Sequence, residues 1–551
     1  MEVVSEQIAF PTLSVREMEL IRRAGERREY ADGEVVYEAG DPDLDFYAVE
    51  SGRLEVLNPT DGGASVAFHD VGGFAGDIDL LTRRPAIVTV VARGPTVLLK
   101  VRGSDFRTLL GTVPKLGEKL VVAFTHRRGL LERAGVIGLK VIGPGHQPDT
   151  MLAREFLYKN FVPATWYDTD ADDGKALLAE LGKSEDDTPV IVCSGRHPDV
   201  LTRPSLPALA RCAGLRRQCP DEVFGLAVVG AGPAGMTAAV YAASEAISTV
   251  VLDTIGPGGQ AGGSSLIENF IGFPSGLSGA ELATRGVLQM MKFGAVLVTP
   301  VTVDRIDAGD DDEPLALHTS AGDVIRARAV LAATGVRWRR LEAKNARRYE
   351  RAGIFYAATS VESRVCTGEE VAVVGGGNSA GQAAMFLSEC SRRVHLLVRG
   401  PDVSKGMSDY LVDRVRANPK IVVHHDTEVA EVYGDGERIT GIALADANTA
   451  ARADLKATAL FVFIGAAPHA DWLPPEVARN DKGYVLTGPD ARRAGRWPLD
   501  RDPFALETSV PRVLAAGDLR AGSTKRVGFA VGDGSLAVTC VHQLQGLQRR
   551  A

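Results

Sequence analysis

The sequence predicts a multidomain protein: an N-terminal β-barrel or jelly roll with helices, then a compact α/β domain, then two three-layer α/β domains. Its 551 residues are enough for three or four hydrophobic cores. Short β-branched runs between Gly and Asp turns fill the region from about 10 to 135, and strand and helix patterns alternate from about 138 to 220. From about 223 onward, two apolar strands each lead into a glycine-rich loop and an alanine-rich helix.

The composition excludes several classes of protein. A net charge of -8, with no run of Lys and Arg, argues against a nucleic-acid partner. The longest apolar stretch, around 457–467, is too short to span a bilayer, so no membrane partner is expected. Six cysteines without CxxC spacing predict neither a disulfide framework nor a metal site. The acidic N-terminal residues do not form a signal peptide, and we therefore expect a cytoplasmic enzyme.

The first glycine-rich loop has the pattern of a dinucleotide site. The apolar run 226–229 leads into Gly230, Gly232 and Gly235 in GxGxxG spacing. The first glycine permits the tight turn, the second lets a pyrophosphate approach the backbone, and the third lets the helix pack on the strand. Asp253 ends the next strand about 20 residues later, where we expect it to hold a ribose hydroxyl.

A second loop of the same kind follows the apolar run 371–374. The loop residues expected to contact a nicotinamide nucleotide are Gly375, Gly377, Asn378, Ser379 and Ala380. Arg399 follows the second strand of this unit, where an arginine accommodates the extra phosphate of NADP; the alternative is a solvated arginine. Two such loops predict Rossmann-like domains that hold a flavin and a nicotinamide, with hydride passing between their rings.

On these loops and on several further motifs, the region from 223 onward resembles the low-molecular-weight thioredoxin reductases. The further motifs are Gly258-Gly259-Gln260, Ile267-Glu268-Asn269-Phe270, Ala333-Thr334-Gly335, Phe463-Ile464-Gly465 and Ala516-Gly517-Asp518. The resemblance implies an FAD-binding domain made of 223–337 and 468–551, an inserted NAD(P)H-binding domain at 338–467, and a homodimer. It also implies FAD contacts, beyond the first glycine loop and Asp253, from Gly259, Gln260, Asn269, Thr334, Gly335, Asp518, Lys525 and Arg526.

The sequence departs from this family at its redox centre. The two positions that hold the family's redox cysteines are Ala357 and Ser360, so no disulfide can form there. Cys366 has no expected partner nearby, and we predict that Cys212 and Cys219 are unpaired thiols. Where the family has two successive arginines, this sequence has Arg399-Gly400, with Lys405 as the candidate substitute for the second arginine. The choice between NADPH and NADH therefore stays open.

The stretch 73–90 resembles the phosphate-binding cassette of cyclic nucleotide-binding domains, which implies such a domain at 1–135. A cyclic nucleotide would contact Gly76, Asp77 and Thr89, but Ala86 stands where the family has its phosphate-binding arginine. Two interpretations therefore remain: a cyclic-nucleotide site, or a structural or partner-docking module.

Residues 136–222 resemble a thioredoxin or glutaredoxin fold, because Thr188-Pro189 followed by an apolar strand looks like that family's cis-proline turn. The corresponding first loop, 143–150, has no cysteine, and Cys193 lies on the wrong strand to replace one. We predict that this domain does not relay electrons.

The leading hypothesis is an FAD-dependent NAD(P)H oxidoreductase on a thioredoxin reductase scaffold, with electrons passing to an unidentified acceptor and no catalytic residue assigned. One alternative is a thioredoxin-disulfide reductase that uses external thiols or other cysteines. The other is a regulatory flavoprotein that senses redox state or a cyclic nucleotide.

Overall fold

The computed structural model describes residues 8–42, 44–59, 63–82, 84–133, 138–193, 199–215, 219–308, 313–435, 438–446, 448–449, 451–495 and 497–548. Four structural units follow one another along the chain, with the fourth inserted into the third. None of the helices in these ranges is long and apolar enough to cross a membrane.

The N-terminal unit is an antiparallel sheet packed against helices. Its six strands have the order β1-β6-β3-β4, with β2 paired to β6 and β5 to β3. The strands are β1 Glu26–Tyr30, β2 Val35–Tyr37, β3 Phe46–Asn58, β4 Ala64–His69, β5 Phe74–Ala75 and β6 Thr89–Val101. The helices are α1 Val15–Ala24, α2 Asp79–Thr82, α3 Gly103–Thr112 and α4 Pro114–Arg133. Four fully buried rings, from Phe46, Phe74, Phe106 and Phe124, form the centre of the core between sheet and helices.

The middle unit is a small mixed sheet with three helices. Strand order is β10-β9-β7-β8, with β7 parallel to β8 and β9 antiparallel to both of its neighbours. The elements are β7 Leu139–Ile142, α5 Pro148–Lys159, β8 Ala164–Tyr167, α6 Asp172–Glu180, β9 Val190–Val192, β10 Val200–Thr202 and α7 Leu206–Cys212. The peptide between Thr188 and Pro189, just before β9, is cis.

The third unit contains the first glycine loop. Its strands are β11 Val223–Val229, β12 Thr249–Leu252, β13 Val296–Val298, β14 Val303–Asp307, β15 Leu315–Thr319, β16 Val324–Ala332 and β27 Val513–Ala515. The order is β13-β12-β11-β16-β15-β14, and β27 pairs with β16. Its helices are α8 Pro233–Ser244, α9 Gly279–Lys292, α13 Pro489–Arg493 and α14 Val527–Gln548. Helices α8, α9 and α14 bury one face of this sheet.

The inserted unit contains the second glycine loop. Its parallel strands are β18 Ile354–Phe355, β19 Glu370–Val374, β20 Arg393–Leu397, β21 Ile421–His424 and β25 Ala459–Val462, in the order β18-β25-β19-β20-β21. Helices α10 Ser360–Ser363, α11 Asn378–Cys390 and α12 Asp409–Ala417 complete the unit, and α11 and α12 cover one face of the sheet. The antiparallel strands β22 Thr427–Gly434, β23 Ile439–Asp446 and β24 Arg452–Leu455 form a second sheet, and β22 and β23 cover the other face. Strands β17 Val336–Trp338 and β26 Ala466–Pro468 pair where the chain passes between the units.

The middle unit contacts all three others. The Asn160 side chain, at the end of α5, donates to the carbonyl of Ile255 in the third unit at 2.6 Å. Arg154 of the same helix donates to the carbonyl of Val361 in the inserted unit at 2.8 Å. Arg84 of the N-terminal unit donates to the backbone carbonyls of Asn160 and Phe161. Helix α5 therefore fixes the positions of the other units around it.

Candidate functional site

The first glycine loop has the geometry of a pyrophosphate cradle. Gly230 has a φ of 106°, in the left-handed region that favours glycine. A Cβ added at Gly235 would overlap the carbonyl oxygen of Gly230, so only glycine lets α8 begin this close to the strand. Gly232 is the N-cap of α8 and has no side chain over the first turn, whose N–H groups can bind a phosphate. These residues fit the pyrophosphate of a dinucleotide such as FAD.

Asp253 holds the backbone of this cradle. Its Oδ2 accepts a hydrogen bond from Ala231 N at 2.8 Å, and its Oδ1 accepts from Ile255 N at 3.0 Å and Gly256 N at 2.9 Å. Charged acceptors make the stronger hydrogen bonds to backbone, so this carboxylate shapes the loop. These backbone bonds were not expected from the sequence, which predicted a bond from Asp253 to a ribose hydroxyl. That ribose bond stays a prediction.

A second loop lies across the first. A Cβ on Gly259, whose φ is 55°, would lie 2.9 Å from the Cα of Gly232, so the two backbones are in direct contact. Gln260, on the same loop, donates through its side chain to the carbonyl of Val336. The predicted FAD residues Gly232, Gly259 and Gln260 thus lie together in the fold.

Of the remaining predicted FAD residues, three are partly buried in the fold and three are exposed on its surface. Thr334 donates to the carbonyl of His469 at 2.6 Å, next to Gly335 with its φ of 61°. Asp518 follows a glycine that packs on the N-terminal end of α8, and burial raises the pKa of its carboxyl. The exposed residues are Asn269, Lys525 and Arg526, and their role toward FAD stays a prediction.

The second glycine loop has the same construction. Gly375 has a φ of 144°, a Cβ there would overlap the carbonyl oxygen of Phe463, and Gly377 is the N-cap of α11. The Asn378 side chain accepts a hydrogen bond from Ser408 N at 2.8 Å and so connects the loop to the residue before α12. No local sequence pattern indicates this contact.

The other predicted nicotinamide residues differ in exposure. Both residues lie in the first turn of α11, where Ala380 is fully buried and Ser379 is exposed. The Arg399 side chain is 82% exposed, with its Nε 3.7 Å from Glu428, so its guanidinium is accessible to a phosphate.

The segment 356–360 lies against the loop 258–263, which contains the predicted FAD residues Gly259 and Gln260 and which we call the flavin-side loop. A Cβ added at Gly263 would lie 3.4 Å from Ala357 Cβ and 3.6 Å from Thr359 Cγ2. Thr359 is the N-cap of α10, and its backbone N–H donates to Glu362 at 2.8 Å; burial raises the pKa of that glutamate. Ala357 therefore presents only a methyl group at the flavin-side loop. The side chain of Ser360 lies outside the described part of the chain.

The middle unit covers the other side of this segment. The Arg154 guanidinium lies 3.8 Å from the ring centre of Trp166 and donates to the carbonyl of Val361. Gly145, in the first loop of the middle unit, packs against Val365; a Cβ there would lie 2.8 Å from the valine methyl. The first loop of the middle unit thus packs against the segment that follows Ala357.

One cysteine prediction needs correction. Cys212 is not an unpaired thiol, because it forms a disulfide with Cys193, at a Cα–Cα distance of 5.5 Å. Cys366 is a free thiol, and burial chiefly, with Cys390 in addition, raises its pKa. Cys219 is free as predicted, and burial raises its pKa to about 11. No cluster of metal ligands occurs among the described residues.

The cassette of the N-terminal unit contains an internal ion cluster. Arg128 of α4 pairs with Asp77 at 2.9 Å and with the fully buried Asp79 at 2.7 Å. Burial raises the pKa of Asp77, although Arg128 opposes the shift. Ala86 is buried, and the Thr89 hydroxyl accepts from Ala39 N at 3.1 Å. The acid expected to hold a ribose is therefore already paired, with a residue 51 positions away.

Arg84, a neighbouring arginine of the cassette, donates to backbone carbonyls of the middle unit. Arg83 lies outside the described residues. Gly76, with a φ of 148°, packs against Phe124, as a Cβ there would lie 3.3 Å from its ring.

Comparison with known proteins identifies the family. Residues 224–534 match the model for pyridine nucleotide-disulphide oxidoreductases, and 27–112 match that of the cyclic nucleotide-binding domain. The chain belongs to the pyridine nucleotide-disulphide oxidoreductase family. This membership supports an FAD-dependent oxidoreductase that uses FAD and NADPH.

Several thioredoxin reductases are similar to the C-terminal part. NADPH-dependent thioredoxin reductase 3 of Arabidopsis thaliana is 34% identical over 325 residues, which cover 58% of this chain and only 57% of that protein. The thioredoxin reductase of Schizosaccharomyces pombe is 30% identical over 345 residues, covering 58% of this chain and 97% of its own length. The crystal structure of the T. acidophilum thioredoxin reductase superimposes with a TM-score of 0.52 at 28% identity, covering 59% of this chain and 99% of that one.

The close approach of α8 to its strand gives a direct test of the flavin cradle. We expect Gly235→Ala to lose most of its bound FAD, because the new methyl group overlaps the Gly230 carbonyl. The ratio of flavin absorbance to protein absorbance in the purified protein measures this. Gly546→Ala, in α14 with open space at its Cβ, is the matched control and should keep its FAD. Full flavin content in Gly235→Ala would contradict the assigned geometry.

Proposed function

We propose that the chain is an NAD(P)H-dependent flavin oxidoreductase that passes electrons to an acceptor without a redox disulfide beside the flavin. The observation that carries the proposal is the position of Ala357. Its methyl group lies at Gly263 of the flavin-side loop, while both glycine cradles keep the geometry that dinucleotides need. When bound, FAD accepts a hydride from NAD(P)H and delivers two electrons onward.

The protein's own part in this reaction is binding and orientation. The N-terminal ends of α8 and α11 direct their backbone N–H groups at the two loops. Asp253 holds the first loop, and the Asn378 side chain holds the second. Hydride transfer between stacked rings needs positioning and no protein acid or base, so the reaction does not require the missing cysteines.

The alternative of a disulfide reductase that uses another cysteine has less support. Cys366 is the described cysteine nearest in sequence to Ala357, and it is fully buried with a raised pKa. A buried thiol with a raised pKa is a poor nucleophile, since the thiolate is the reactive form. The disulfide of Cys193 lies in the middle unit, away from the segment that contacts Gly263.

The middle unit supports the same conclusion. Its four-stranded mixed sheet supports a thioredoxin-like fold at 136–222. Its first loop, at Gly145, has no cysteine and is packed against Val365. The disulfide of this unit lies elsewhere, so neither side of the contact between Gly145 and Val365 carries a dithiol. This arrangement favours an acceptor other than a protein disulfide at this face.

Anaerobic mixing with each nicotinamide tests the proposal. We expect both NADPH and NADH to reduce the bound FAD, with NADPH effective at lower concentration because Arg399 is accessible to its extra phosphate. Arg399→Ala should raise the half-saturating NADPH concentration about 10-fold and leave that for NADH unchanged, which corresponds to one lost charged hydrogen bond. The measurement is the rate of flavin bleaching in a stopped-flow instrument.

Arg392→Ala is the matched control for this variant. Arg392 precedes the same strand, β20, is 60% exposed and pairs with Glu370 at 3.1 Å, so its loss should leave both nicotinamides unaffected. Purified protein whose FAD neither nicotinamide reduces would refute the proposed function. If Arg399→Ala raised the half-saturating concentrations of NADPH and NADH equally, that result would refute only the role of the arginine and not the proposed function.

For the N-terminal unit, we infer a docking role in place of cyclic-nucleotide sensing. The pairing of Asp77 with Arg128, the apolar Ala86 and the use of Arg84 to bind the middle unit support this inference. Helix α2 of the cassette also contacts α9 of the third unit. The same surface that binds a ligand in relatives of this domain is here engaged with the protein's other domains.

Thermal melts test the docking role. We expect cAMP or cGMP at about 1 mM to leave the unfolding temperature of the full chain unchanged, because a ligand stabilises only the state that binds it. Added FAD, in protein partly depleted of flavin, is the positive control and should raise the temperature. A shift that saturates with either cyclic nucleotide would contradict the inference and restore the sensing hypothesis.

A further inference from the structure

The middle unit holds a disulfide in a position unrelated to the flavin. Cys193 follows β9, and Cys212 is the last residue of α7. Strand β9 runs antiparallel to β7, with Val192 opposite Lys140 and Val190 opposite Ile142. Cys193 therefore lies beyond the N-terminal end of β7, whereas the loop that packs on Val365 follows the opposite end. The disulfide is not a substitute for the missing pair beside the flavin.

Helix α7 is held in place without the disulfide. Ser205 caps its N-terminus by accepting from Ala208 N at 3.4 Å, and Leu209 and Ala210 are buried in the core of the unit. After the helix, Leu215 N donates to the carbonyl of Ala210 at 2.8 Å. A disulfide stabilises a fold mainly by constraining the unfolded chain, so reduction weakens this element while its apolar core remains.

The two cysteine residues differ in exposure. Cys193 is 8% exposed, whereas Cys212 is only half-buried. Thiol–disulfide exchange begins with attack of a thiolate on an accessible sulfur, so Cys212 is the residue that an incoming thiol reaches. Cys193 is then the leaving group.

The end of α7 touches the N-terminal unit directly. Two residues after Cys212, Gly214 has a φ of 65°, and a Cβ on it would overlap the ring of Pro85 in the cassette. Next to this contact is a cavity of about 30 Å³, lined by Thr82 of the cassette, Leu215 of the middle unit and Val287 of the third unit, among others. The segment that Cys212 anchors is thus one of the parts of the middle unit that meet the cassette where three domains join.

We propose that Cys193 and Cys212 form a reversible redox site that exchanges with dithiol reductants, and that its redox state controls the contact between α7 and the cassette. A thiolate of the dithiol attacks the Sγ of Cys212, the S–S bond breaks, and Cys193 leaves as a thiolate that takes up a proton. The second thiol of the reductant then displaces Cys212 and closes the reductant's own disulfide. Two electrons and two protons pass from the dithiol to the protein, and an oxidised dithiol reverses the reaction.

Differential thiol labelling of the native full-length protein tests the redox site. The protein is equilibrated in buffers of graded ratio of reduced to oxidised dithiothreitol, then quenched with a maleimide and mapped by peptide mass spectrometry. We expect Cys193 and Cys212 to be unlabelled in oxidising buffer and to become labelled together, with a single reversible midpoint, in reducing buffer. Labelling of either residue without reductant, or protection of both until denaturant is added, would overturn the proposal.

Hydrogen exchange tests the coupling to the cassette. Reduction should speed amide exchange in peptides covering 206–215 and 84–92 by at least about 10-fold, because the end of α7 loses its anchor. Cys212→Ser should show the fast exchange in either buffer, while Cys219→Ser, a nearby cysteine outside the pair, should behave as the unmodified protein. Identical exchange of both peptides in the two redox states would overturn the coupling.

Discussion

The arrangement of the candidate site depends on one buried arginine. Arg154 of α5 is 6% exposed, and burial lowers the pKa of its guanidinium to about 10, so it stays charged at neutral pH. A charge buried in this way costs several kcal/mol unless it is compensated. Here it stacks on Trp166 and donates to the carbonyl of Val361. This contact holds the middle unit against the segment in which the family's redox cysteines would lie.

The consequence is a flavin-side face closed from two directions. Gly263 of the third unit meets Ala357, and the middle unit packs on Val361 and Val365 behind it. Neither of these described surfaces has a cysteine at the contact. The retained parts are the two glycine cradles, which is the pattern expected if the cofactor chemistry is kept while the route of the electrons has changed.

The glycine loops were predictable from sequence because their signal is local: spacing, a preceding strand and a following helix all lie within about 20 residues. The side-chain pairs that connect distant segments were not predictable from sequence, because no local pattern marks them. Arg128 and Asp77 are separated by 51 residues, and the Asn378 side chain meets Ser408 across 30. A disulfide likewise requires two Cα atoms to come within reach, which only the assembled sheet decides; this is why the pairing of Cys212 was predicted wrongly.

An anaerobic titration with NADPH tests most directly whether the flavin works without a redox disulfide. NADPH is added stepwise to the full-length protein, because its electrons enter through the flavin, and the electrons consumed up to complete bleaching of the flavin are counted. We expect about two electrons per bound FAD, because no disulfide exchanges electrons with the flavin. Consumption of about four electrons per FAD, with the appearance of two new thiols, would show a disulfide in electronic contact with the flavin and would contradict the proposed function.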